Sequence, residues 1–260
     1  MTKKLFCKKD LGCILTELNY FNNFKDKYLN KQFDKVNYGK RIGALTFKNL
    51  FDAADKYTYS NQVDESIFKG WNKILNDENS SNENVFCAIL EIFDWGGVLS
   101  GNVKTAINLY KDKKLKDYIR QIIELLKKKE ILVKEEIKSD IIWSSGWTKV
   151  YSFINNDILI YDSRVSAFLN HTLTYDIKYT EEQIKKLKEL TTYLFNFQGA
   201  ENRERLVDKK QFGFKNSSPN GLNGFNANLI SSWTAELIKE ELKLEKGIRD
   251  FERAFFMLGF

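Results

Sequence analysis

A single proline, Pro219, stands in 260 residues, and this constrains the fold more than any other feature of the chain. Proline removes a backbone donor and its ring clashes with the preceding helical turn, so a chain almost without it has few forced breaks in its helices. Apolar residues recur at helical spacing in several places. Leu115, Tyr118, Ile119, Ile122, Leu125 and Leu126 share one face, as do Ile184, Leu187, Leu190 and Leu194. With 20 Phe, 12 Tyr and 5 Trp to fill an interior, a mostly α fold is expected.

The formal net charge of +6 suits a polyanionic partner, although a basic protein with no such partner has the same balance. Cys7, Cys13 and Cys87 are odd in number and unrelated in spacing. They read as reduced thiols, with no disulfide framework, zinc site or iron–sulfur cluster, and no cofactor is expected. No stretch of about 20 apolar residues could cross a bilayer, and the first ten residues do not read as a signal peptide. These features point to a cytoplasmic protein with no membrane partner, expected to act as a monomer.

Three segments of one structural unit are expected. Residues 1–84 carry clustered aromatics that suggest two or three amphipathic helices, interrupted at Asn37-Tyr38-Gly39 and Gly43 and closed by a polar loop over residues 76–84. Residues 176–260 hold a helix over 181–197, a Gly/Asn-rich loop from Gln211 to Asn228, and closing helices with core residues Trp233, Phe251, Phe255 and Phe256. Between these helices and the loop, Arg203 and Arg205 could grip phosphate or a large substituent on a base through planar forked donors.

The middle segment, 85–175, holds the informative sequence. An apolar helix ends at Asp94-Trp95-Gly96-Gly97, and another starts near Asn102. Trp95 reads either as a core residue or as a platform for a flat apolar ligand. Asp94 reads as a helix-end polar residue or an acceptor for an exocyclic amine, and Asn102 as a helix cap or a pocket ligand. Ile141 and Ile142 then lead to a turn over Ser144, Ser145 and Gly146, and an apolar helical run follows. The expected order is helix, hairpin, helix, and then Asp162 before the helical stripe Val165, Phe168, Leu169. Such a turn can leave backbone N–H groups at a helix start for a phosphate, aided by Lys149. Asp162 reads as an N-cap or as a rigidly held functional carboxylate. His171, the only histidine, reads as a residue of a helix C-terminus.

Over Val85 to Asn170 the sequence resembles the helix-hairpin-helix DNA glycosylases. The likeness lies in Gly146-Trp147-Thr148-Lys149-Val150, in Ile160-Tyr161-Asp162-Ser163-Arg164-Val165, and in Asn102-Val103-Lys104-Thr105-Ala106-Ile107-Asn108-Leu109-Tyr110. The turn is Ser-Ser-Gly-Trp where that family has Pro-Gly-x-Gly. The resemblance implies a helical fold with two subdomains around a cleft, and an enzyme that flips a modified base from double-stranded DNA and excises it. Asp162 and Lys149 would be catalytic, as the acid and as the amine nucleophile of bifunctional members. Trp95, Asp94 and Asn102 would lie at the base pocket. Ser144, Ser145, Gly146, Trp147, Thr148 and Arg164, with Arg203 and Arg205, would contact DNA. Within the family the chain is similar to phage-defence glycosylases that remove glucosylated hydroxymethylcytosine, which implies a role in antiviral defence. A module that keeps the hairpin to bind DNA without catalysis is the alternative.

Overall fold

The computed structural model describes residues 5–37, 44–57, 65–98, 100–137, 140–175, 177–194, 212–214 and 221–259. Among these the protein is mostly helical, as expected. Helix α1 (Lys8–Glu17) starts where Asp10 accepts hydrogen bonds from the backbone N–H and thiol of Cys7. The short α2 (Tyr20–Phe24) runs into a π-helical turn, Lys25–Leu29. Strands β1 (Phe33–Asn37) and β2 (Ala44–Phe47) then pair antiparallel. This hairpin takes the place of a helix expected in the N-terminal segment. Phe47 anchors it, buried in a small cluster with Ala53 and Met257.

Helix α3 (Leu50–Asp55) is capped by Asn49, whose side chain accepts from the N–H groups of Phe51 and Asp52. After it come α4 (Glu65–Asn76), α5 (Asn82–Trp95, capped by Ser81), α6 (Ser100–Lys111) and α7 (Leu115–Leu126). Between Leu126 and α8 (Trp147–Ile154) the described chain has a single β-bridge, Glu130 to Cys7, and a 3-10 turn at Lys134–Glu136. Ile141 to Trp143 are not helical, which corrects the expected helix directly ahead of the hairpin. Buried phenols hold this stretch extended: the Tyr118 hydroxyl accepts from the N–H of Ile142, and Tyr151 donates to the Ile142 carbonyl. The remaining helices are α9 (Ser163–Thr174), α10 (Glu181–Thr191), α11 (Gly221–Glu241) and α12 (Ile248–Leu258).

Helix α11 corrects the expected Gly/Asn-rich loop, because Gly221 to Asn228 form its first two turns. Its amide and hydroxyl side chains satisfy two extended segments packed beside it. Asn226 exchanges hydrogen bonds with the N–H and carbonyl of Leu132, at 2.8 and 2.9 Å. Asn228 donates to the Leu159 carbonyl, and the Ser232 hydroxyl accepts from the Leu159 N–H. Buried backbone groups need such partners, so the polar sequence that reads as a loop belongs to the interior. Gly224 makes room for Trp143, whose Cδ2 would lie 2.3 Å from a Cβ at that position.

One buried apolar cluster includes Leu11, Trp71, Phe93, Tyr151, Phe168, Trp233 and Phe255, and so runs through all three sequence segments. Helix α12 packs on α3 and α9 through Phe251 and Phe255: Phe51 meets Phe251 edge-on, and Phe168 lies against Phe255. That packing turns the opposite face, Arg249, Glu252, Arg253 and Phe256, towards the C-terminus of α5 and the start of α9. No described helix is long and apolar enough to cross a membrane.

Candidate functional site

A cavity of about 480 Å³ has Lys149, Asp162, Arg164, Glu252 and Arg253 on its walls, with Asp94, Trp95, Gly96 and Gly97 along one side. Each wall residue is held by local structure. Asp162 caps α9, its Oδ1 accepting from the N–H groups of Arg164 and Val165, both at 2.9 Å. No hydrogen bond reaches its Oδ2 among the described residues. Arg164 is buried, its guanidinium stacked 4.3 Å from the centre of the Phe256 ring. The stem of Lys149 crosses Gly96, where a Cβ would come within 2.3 Å of the lysine Cδ. A glycine at the end of α5 is therefore what lets the lysine lie in the cavity wall.

The Lys149 amine donates to the Ser145 carbonyl at 3.0 Å. Burial pushes its pKa below that of an ordinary lysine, against the opposing pull of the Asp162 carboxylate and then of Glu252. The same two carboxylates face Tyr57. Its phenol is driven upward mainly by burial, with Glu252 and then Asp162 adding to the shift. Tyr57 therefore remains a hydroxyl donor at neutral pH.

A second cavity of about 430 Å³ adjoins the first, with Phe68, Trp95 and Phe153 as aromatic walls and Glu65, Lys69, Asn72, Arg249 and Asp250 at its polar edge. Tyr57, Trp95, Glu252 and Arg253 line both spaces and form the neck between them. The rings of Phe68, Trp95 and Phe153 meet pairwise at 5.2 to 5.5 Å between centroids. The chamber of Lys149 and Asp162 and the one walled by the three rings, here called the charged and the aromatic chamber, lie side by side. Both carry charged side chains, and a ligand with a flat apolar part and polar groups fits the two together.

Comparison with known protein families, with curated proteins and with solved structures finds no match.

The structure brings Asp94, Trp95, Lys149, Asp162 and Arg164 to one cavity, and it separates the other residues singled out from sequence. Asn102 lies away from the cavity in the first turn of α6, where its Oδ1 accepts from the Ser144 hydroxyl at 2.6 Å. Ser144 closes the turn ahead of α8, its hydroxyl accepting from the N–H of Trp147. Gly146 is buried between Val98 and Asn102 with no room for a Cβ. Trp147 and Thr148, expected against DNA, are both 0% exposed, with Trp147 packed edge-on against Phe93 and Tyr118. Of the turn, only Ser145 is exposed.

The expected phosphate clamp would have to use other groups than the first N–H groups of α8, such as those of Ser145 and Gly146, which donate to nothing among the described residues. The N–H groups of Trp147, Thr148 and Lys149 all donate within the turn, to the Ser144 hydroxyl, the Ser144 carbonyl and the Gly146 carbonyl. They are not available to an anion. Arg203 and Arg205 lie outside the described residues. His171 sits in the last turn of α9 and stacks on Tyr175 at 4.3 Å.

Sequence reasoning missed Tyr57, Phe68, Phe153, Arg249, Glu252 and Arg253 as cleft residues. Four of α12's positions had a usable signal. Arg249, Glu252, Arg253 and Phe256 follow i, i+3, i+4, i+7 spacing, a charged stripe on a helix whose other face is Phe251 and Phe255. Among the described residues, no group of three or more His, Cys, Asp or Glu could hold a metal ion.

Proposed function

We propose that the protein is a DNA N-glycosylase that draws a modified base into the aromatic chamber and cuts the bond joining it to its sugar, leaving an abasic site. The observation that carries this reading is that a desolvated amine, Lys149, and the Asp162 carboxylate lie on the wall of one cavity beside an aromatic one. The resemblance of residues 85–170 to helix-hairpin-helix glycosylases supports it, as does the net charge of +6.

In this reading the flipped base lies against the open side of the Phe68, Trp95 and Phe153 cluster, and the deoxyribose lies in the charged chamber. An amine at lowered pKa is an effective nucleophile near neutral pH, because less of it is held as ammonium. Lys149 attacks C1′ of the sugar. Asp162, with Oδ2 free of protein partners among the described residues and Oδ1 fixed by the α9 cap, stabilises the positive charge that develops on the sugar. The linkage formed between Lys149 and the sugar opens to an imine, which gives the enzyme an associated lyase activity. Double-stranded DNA is the partner, approached on the face where the cleft opens. A role in defence against phage with modified DNA follows from the same resemblance.

The test is mass spectrometry of bases released from ordinary, damaged and phage-modified DNA by the wild type, Asp162→Asn and Lys149→Gln, together with borohydride trapping of the protein–DNA imine. Asparagine also caps helices well, so Asp162→Asn should melt close to the wild type while base release falls at least ~100-fold. Lys149→Gln should lose the trapped adduct. If the wild type releases no base from any of these DNAs yet binds duplex, the site is a binding module and the glycosylase reading is wrong.

A further inference from the structure

Glu252 is the one carboxylate among the four residues that line both chambers. Asp162 lines the charged chamber only. A nucleotide with its sugar in one space and its base in the other passes its glycosidic bond through the neck, beside Glu252. The side chain is 8% exposed as a residue and rigidly held. Its Oε2 accepts from the N–H of Ile160 and from the Arg249 guanidinium, both at 2.7 Å. Arg249 is itself fixed, donating to the Ser152 carbonyl at 2.7 Å and stacking 4.8 Å from the centre of the Phe153 ring. No hydrogen bond reaches Oε1 among the described residues. The charge of Glu252 also reaches Lys149.

We propose that Glu252 is a second catalytic carboxylate, which takes a proton from Lys149 and delivers it to the departing base. The inference rests on the glycosylase reading. Lys149 and Glu252 share the wall of one cavity without a direct hydrogen bond, and the Lys149 ammonium gives one proton to Oε1 of Glu252 through solvent in that cavity. The freed lone pair forms the N–C1′ bond as the C1′–base bond breaks, and the electron pair of that bond stays on the base nitrogen. Glu252 then gives its proton to that nitrogen, so the base leaves neutral and the carboxylate is restored. One proton moves from amine to base, and no co-reactant is needed. Arg249 is a positioning residue, which keeps Oε2 occupied so that Oε1 faces the neck. Tyr57, a hydroxyl at neutral pH, stands at the same neck as a hydrogen-bond donor to the leaving group.

The experiment is single-turnover base release by wild type, Glu252→Gln and Glu252→Asp from DNAs whose excised bases differ in how readily they leave as anions, with duplex affinity and melting temperature measured in parallel. Glutamine keeps an oxygen that can accept from Ile160. The Gln variant is expected to bind duplex while releasing base at least ~100-fold more slowly. Its loss should be larger for a base that needs a proton to leave than for one that departs readily as an anion. The Asp variant is expected to regain at least ~10-fold of the lost rate. A purely structural role predicts the opposite: Asp as slow as Gln, and the same loss for every base. That pattern, or wild-type release by Glu252→Gln, overturns the inference while leaving the glycosylase reading in place. If the Gln variant does not fold, the Asp variant decides by whether its loss depends on the leaving base. No release by the wild type overturns the glycosylase reading and this inference together.

Discussion

The two faces of α8 have opposite fates. Trp147, Val150 and Tyr151 are 0% exposed and close the core against α5 and α7, whereas Lys149 and Phe153 line the two chambers of the cleft. Trp147 and Lys149 stand only two positions apart, about 200° around the helix axis. The contrast shows that a motif read along the chain does not act as a unit. Its residues divide by helical phase, and here Ser144, Gly146, Trp147 and Thr148 shape the support while Lys149 enters the cavity. The same division holds on α12, where Phe251 and Phe255 pack inward and Glu252 and Arg253 face the cleft.

Substitutions on the two faces should separate cleanly. Trp147→Ala removes a fully buried indole and should cost about 3–5 kcal/mol of stability, read by urea denaturation. A loss under ~1 kcal/mol would break the contrast, because it would mean that the side chain is not core. Gly96→Ala, next in size, puts a methyl group where the Lys149 stem lies. It should cost about 1–3 kcal/mol if the lysine holds its place; if the lysine swings out instead, little stability is lost and imine trapping falls. Either result ties Gly96 to Lys149, and a variant normal in both measurements would refute that link.

Lys149→Met sharpens the contrast through pH. Burial lowers the folded-state pKa of this amine beneath its unfolded value of 10.5. At neutral pH the unfolded chain therefore binds that proton more tightly than the folded protein does, and the charge works against folding. The penalty is complete below the folded pKa and is relieved as pH rises through that value towards 10.5. The Met variant should accordingly melt above the wild type at pH 7, and the gap should close as the pH approaches 10.5. A Met variant that melts below the wild type at pH 7 would contradict the direction. Ser145→Ala should have the smallest effect, within about 0.5 kcal/mol and without change in duplex affinity by fluorescence anisotropy. A marked drop in affinity would return this turn to the DNA-binding face.

Much of the helical content was legible from spacing. The faces of α7 and α10 repeat at three and four residues because each buries one side against a core, and periodicity reports that condition directly. Helix α11 was not legible. It is buried along nearly its whole length, so its pattern has no polar side to mark the period, and its asparagines serve neighbouring backbone instead of solvent. The β1–β2 hairpin was missed because short aromatic segments suit a strand or a helix alike. In the cleft, Lys149 and Asp162 could be picked out because each lies in a local motif. Glu252 shows in sequence only as one member of the charged stripe on α12, and Tyr57 not at all, because what sets both apart is proximity to residues far along the chain, Lys149 and Asp162.

The sequence by itself determined a helical protein with an N-cap carboxylate at Asp162, since proline scarcity, apolar period and capping chemistry act over a few residues. Tertiary structure alone decided that the Ser144–Thr148 turn closes on itself, that the Lys149 stem lies over Gly96, and that α12 carries Glu252 to the neck between the chambers. Local rules fix which groups a segment can offer. Burial and long-range packing fix which of them lose water and which face one another, and the chemistry of this cleft depends on both.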